Sequence, residues 1–119
     1  MTRDEVNGLL KYWQKILRLE DWDIVVVIEE LSEDIFGKFN AVFKNKHAII
    51  TLQNPDSERV KDYLYFPYNL EATLVHELVH LHFAMFVEVK DESIEEILYE
   101  QAIDKLALAL YNLNRGDNK

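Results

Sequence analysis

The sequence predicts an α+β fold: an N-terminal helix, a small, mostly antiparallel three-stranded sheet, and two further helices. Three observations predict it. Apolar residues recur at helical spacing at both ends of the chain, β-branched runs fill the stretch from about residue 23 to 53, and capping signatures mark the helix starts. At 119 residues the chain forms one domain, large enough for a core and without room for a second.

Each element follows in order. Thr2-Arg3-Asp4-Glu5 is a capping box, in which the threonine hydroxyl and the glutamate carboxylate satisfy opposite backbone amides of a first turn. Val6, Leu9, Leu10, Trp13, Ile16 and Leu17 carry that helix to about Arg18. Leu19 to Trp22 reads as a loop. Asp23 to Glu30, β-branched and mostly apolar, reads as a buried strand. A second strand from about Gly37 to Lys44 and a third from about Ala48 to Gln53 flank Asn45-Lys46-His47, an antiparallel hairpin turn.

Asn54-Pro55 ends the sheet, and Asp56 to Asn69 is loop or short helix. Asn69 is the cap of a helix from about Leu70 to Phe86. Ser93-Ile94-Glu95-Glu96 is a second capping box, opening a last helix to about Leu113. Residues 114–119 read as a frayed tail. The sequence contains no internal repeat, low-complexity segment or linker.

Composition narrows the function classes. Hydrophobic residues at 49% and aromatic ones at 12% belong to a packed globular protein. There are no cysteines, which removes disulfides and thiolate metal sites and fits a cytoplasmic setting. The longest apolar run, Ile24 to Ile28, is far too short to span a bilayer, and the N-terminus lacks the pattern of a signal peptide. A net charge of −9 without a basic cluster disfavours nucleic acid as a partner and is compatible with a basic protein.

The most informative stretch is His76-Glu77-Leu78-Val79-His80, which spells HExxH inside a helical run. Residues four apart lie one turn apart on one face, so both imidazoles can reach a single metal ion. Glu77 projects beside them, where its carboxylate can take a proton from a water held by the metal. This is the arrangement of zinc proteases. Leu74, Val75, Leu78, Val79 and Leu81 surround the motif, and two histidines and a glutamate are costly to bury unless something satisfies them.

Catalytic zinc needs a third protein ligand and one open position. The residue six beyond His80 is Phe86, with no glycine between, so the third histidine of Met-turn proteases is absent. Glutamates on the following helix are the candidates: Glu100, 20 residues beyond His80, and its rival Glu96, one turn earlier on the same face. Asp104 follows Glu100 by one turn, on a face shared with Ile103 and Ala107, which favours Glu100.

With these residues the chain resembles the gluzincins, the thermolysin-like zinc metallopeptidases. The resemblance implies His76, His80 and Glu100 as ligands of one zinc ion, Glu77 as general base and Asp104 as the carboxylate bracing His76. The order helix, strands, motif helix, ligand helix, together with the short cysteine-free format and Trp22-Asp23-Ile24, is similar to minimal zincins of phage and mobile elements. It is also similar to ImmA/IrrE-type proteases that cleave repressors, which implies a protein or peptide substrate of that kind. In such enzymes an edge strand aligns the substrate backbone by β-augmentation. Phe39 to Phe43 is the candidate for that edge, or else an ordinary sheet strand.

Other residues carry less. His82 lies about 200° around the helix from His80 and cannot share its metal, so a packed or hydrogen-bonded role is expected. His47 is expected to be exposed, and Trp13 and Trp22 to be core. Tyr63, Tyr65 and Tyr68 are the candidate donors to a developing oxyanion. Two function classes follow: a zinc-dependent endopeptidase, and a non-catalytic zinc-stabilised interaction module. The module would need a fourth protein ligand, which the sequence does not offer.

Overall fold

The computed structural model describes residues 2–32, 35–57, 68–84, 86–87 and 90–115. Among them are three helices and one three-stranded sheet, in the order α1 (Arg3–Ile16), β1 (Asp23–Glu29), β2 (Gly37–Val42), β3 (His47–Gln53), α2 (Leu70–Phe83) and α3 (Ile94–Arg115). The α+β class and the order of elements are as expected.

Both bonds of the first capping box are made: Glu5 N–H donates to Thr2 Oγ1 at 3.1 Å and Thr2 N–H to Glu5 Oε1 at 3.3 Å. The helix ends in a Schellman-type turn, with Leu19 N–H donating to Gln14 O at 2.8 Å. Arg18 occupies its left-handed position at φ 60°. Asn69 caps α2 as expected, accepting from Ala72 N–H. The second box is only half made. Ser93 Oγ accepts from Glu96 N–H, but the Glu96 carboxylate accepts from Glu92 N–H instead of Ser93. The C-terminal helix also outlasts its expected end: Asn114 and Arg115 are helical, Arg115 being held by the Glu71 carboxylate and lying over the Tyr12 ring. Conversely, α2 stops at Phe83, short of Phe86.

The sheet order is β1-β3-β2. The pair β2–β3 is the expected antiparallel hairpin, with Val42 opposite His47 around a four-residue turn, 43–46. The pair β1–β3 is parallel, from Asp23 opposite His47 to Glu29 opposite Gln53. The sheet is therefore mixed, not mostly antiparallel. The reason is the connection after β1: its described residues Leu31, Ser32, Ile35 and Phe36 arch over Gln53 at the end of β3, so that β2 forms the far edge and the hairpin returns through the middle. Gln53 fills the arch: its side chain, 1% exposed, accepts from Leu31 N–H and donates toward Leu31 O, Ser32 O and Ile35 O. As an edge strand β1 is not the buried strand its composition suggests; Val25 is 54% exposed beside Ile49. These two and Val42 line a shallow groove of about 460 Å³ on the outer face of the sheet.

The inner face, led by Ile24, Ala48, Ile50 and Leu52, packs on α2, which is apolar on nearly every side and sits between the sheet, α1 and α3. Trp13 and Trp22 belong to this core, and the Trp13 indole N–H finds Glu71 Oε2 at 2.7 Å. The HExxH face of α2 is thereby turned toward α3 and the start of β2.

Candidate metal centre

His76 and His80, one turn apart on α2, meet Glu100 of α3. One ligand atom from each lies within 4.8 Å of the others, a grouping that could hold a metal ion. Glu100 Oε2 is 3.4 Å from His76 Nε2 and 3.2 Å from His80 Nε2. Donors at 2.0–2.2 Å from a tetrahedral ion stand about 3.4 Å apart. Both measured edges match that value, and the donor set, two imidazoles and a carboxylate, suits zinc.

Burial grades across the site. The His80 side chain is 6% exposed, His76 21% and Glu100 49%, so the cluster is enclosed by protein on the α2 side and open to solvent along α3. Burial lowers the pKa of His80, and His76 adds to this while the Glu100 carboxylate opposes it. The result is a neutral imidazole at neutral pH, the form a metal binds. The ring is packed on two sides, by Phe39 stacked at 5.3 Å and by Tyr99 edge-on at 5.3 Å.

Glu77 is buried at 6% exposure. Burial pushes its carboxyl up to about 8, and the Glu100 carboxylate adds to the rise. Gly37, the first residue of β2, makes room for it: a Cβ there would stand 2.9 Å from Thr73 Cγ2 and 3.4 Å from Glu77 Cγ. Asp104 Oδ1 lies 3.4 Å from His76 Nδ1, on the side of the ring away from Glu100. At 71% exposure its attraction to His76 is screened by water.

The remaining expectations sort readily. Glu96 is drawn to the start of α3 by its bond from Glu92 N–H and is not part of the cluster. His82 Nε2–H donates to Leu17 O at 2.6 Å, a hydrogen-bonded role at the end of α1. His47 is exposed, 3.2 Å from Asp23. Tyr63 and Tyr65 fall outside the described residues. Tyr68 packs against Phe36, its hydroxyl buried without a hydrogen-bond partner among the described residues and its pKa raised by that burial.

Two neighbours of the cluster escaped the sequence reading. Gly37 carries no periodic signal, and its role is visible only once β2 lies on α2. Tyr99, whose Oη is 3.1 Å from His80 Nδ1, could have been found by one step of helix geometry: the residue before Glu100 points about 100° away and so flanks the same ring. No described helix is long and apolar enough to cross a membrane. No protein-family model, curated protein or solved structure matches the chain.

Proposed function

We propose that this chain is a minimal zincin, a zinc-dependent endopeptidase whose ligands are His76, His80 and Glu100 and whose general base is Glu77. The observation that carries the reading is the convergence of one carboxylate oxygen on two histidine Nε2 atoms at 3.2 and 3.4 Å, with a buried glutamate adjoining the first histidine. Zinc held there supplies Lewis acidity, acidifying a water and polarising a scissile carbonyl.

The chain's own residues do the rest. Glu77 takes the proton from the attacking water and passes it to the leaving amine nitrogen. Its carboxylate form, required of a base, is favoured by any cation held at the three donors, which offsets the burial that otherwise keeps it protonated. Asp104, 3.4 Å from His76 Nδ1, is the carboxylate that would take Nδ1–H on closer approach and keep the Nε2 lone pair toward the site. Among the described residues β2 has a neighbour on one side only, and its Phe39 stacks on His80. A peptide added along that free edge runs beside the cluster, with main-chain hydrogen bonds setting its register.

The test is Glu77→Gln, nearly isosteric but unable to accept the proton. The variant is expected to bind zinc as the native protein does and to cleave an unfolded protein such as casein about 10²- to 10⁴-fold more slowly. Equal rates would remove Glu77 from the mechanism. Stoichiometric zinc in a native protein that cleaves no substrate of a broad panel supports the interaction module instead.

A further inference from the structure

We propose that Tyr99 is a positioning residue for the metal centre: when an ion is held at Nε2 of His80, the Tyr99 phenol oxygen accepts Nδ1–H of the same ring and so keeps the Nε2 lone pair toward that ion. The inference rests on His80 being a ligand, as read above. Tyr99 and Glu100 are consecutive on α3 and diverge by about 100°, so they reach opposite sides of one imidazole. Tyr99 Oη stands 3.1 Å from Nδ1, and Glu100 Oε2 3.2 Å from Nε2.

A neutral imidazole carries one N–H and one lone pair, and the nitrogen that keeps the proton cannot bind a metal. Whatever accepts at Nδ1 therefore decides whether Nε2 is available. His76 and His80 differ in how that is settled. His76 faces the Asp104 carboxylate and is 21% exposed, so water can stand in for it. His80 is 6% exposed and covered by the Phe39 and Tyr99 rings. Without the Tyr99 hydroxyl, its Nδ1–H is left buried and unpaired, or the proton moves to Nε2 and blocks the ligand position. The neighbouring carboxylate does not replace the phenol, because it lies on the other nitrogen.

Tyr99→Phe keeps the ring that packs on His80 and removes the hydroxyl alone. Zinc affinity by chelator competition is expected to fall about 10- to 100-fold, with the melting temperature of the metal-free protein nearly unchanged. In the zinc-loaded native protein, ¹⁵N-edited spectra of His80 are expected to show a slowly exchanging Nδ1–H, and in the variant a rapidly exchanging one. Unchanged affinity, or an affinity loss matched by general destabilisation with the Nδ1–H still protected, would overturn the proposal. The readouts separate it from the peptidase reading. Zinc bound tightly by the native chain and weakly by the variant, with no hydrolysis by either, supports Tyr99 and defeats the peptidase. A native chain that binds no zinc defeats both.

Discussion

Glu96 and Glu100 stand one turn apart on the same helix, and the difference between them is local hydrogen bonding. The Glu96 carboxylate accepts from Glu92 N–H, a residue in left-handed conformation at φ 63° just outside the helix, and so serves the start of α3. Glu100 has no such neighbour and reaches both imidazoles. Glu100→Ala is therefore expected to weaken zinc binding by more than the roughly 10- to 100-fold that an outer partner is worth. Glu96→Ala should leave affinity nearly unchanged and lower stability by about 0.5–1 kcal/mol through the lost cap contact. Metal titration of the two variants checks this, and the reverse ranking would reassign the third ligand.

At the scale of elements, the approach of β2 to α2 decides the shape of the site. Gly37 is the contact point, with Thr73 Cγ2, Leu52 Cδ2 and Glu77 Cγ at 2.9, 3.3 and 3.4 Å from where a Cβ would stand. Gly37→Ala is expected to overpack this seam and cost about 1–3 kcal/mol. The closest clash is with a methyl group, so Thr73→Ser should relieve it while keeping the hydroxyl bond to Asn69 O. Urea unfolding of the single and double variants measures the coupling, and a double variant no more stable than Gly37→Ala would mean that the clash lies with Leu52 or Glu77. The arch filled by Gln53 lies beside this seam at the same end of the sheet, where Gly37 pairs with Leu52, and ties the crossover to the last residue of β3.

For the molecule as a whole, α2 is the central beam, and its one buried acid sets a pH dependence. In the metal-free chain the folded pKa of Glu77 is pushed up to about 8 from an unfolded value of 4.5. Between those values the unfolded chain has lost this proton and the folded chain has kept it, so stability present at pH 4.5 is lost as pH rises toward 8. The loss should amount to a few kcal/mol, given that each pKa unit corresponds to about 1.4 kcal/mol. Unfolding at pH 5 and pH 8 in chelator should show this decline in the native protein and a flatter profile in Glu77→Gln. Added zinc should restore stability at pH 8, because it binds the folded state and favours the carboxylate. Identical pH profiles of the two proteins would refute the assignment.

By itself the sequence determined much that depends on neighbours a few residues away. The one-turn spacing puts His76 and His80 on one face, Thr2 with Glu5 closes the first box, Asn69 caps the motif helix, and the β2–β3 hairpin follows from a local turn. These are set by helix and strand periods that the chain carries wherever it folds. Tertiary structure decided the rest. It selected Glu100 over Glu96, paired β1 parallel to β3 at an exposed edge, set Gly37 against Glu77, and placed Tyr99 on the inner nitrogen of His80. Each of these depends on how far apart two elements pack and at what angle. That is fixed by the summed burial of the Ile24, Ile50, Leu74 and Leu78 core, to which no single segment holds the answer.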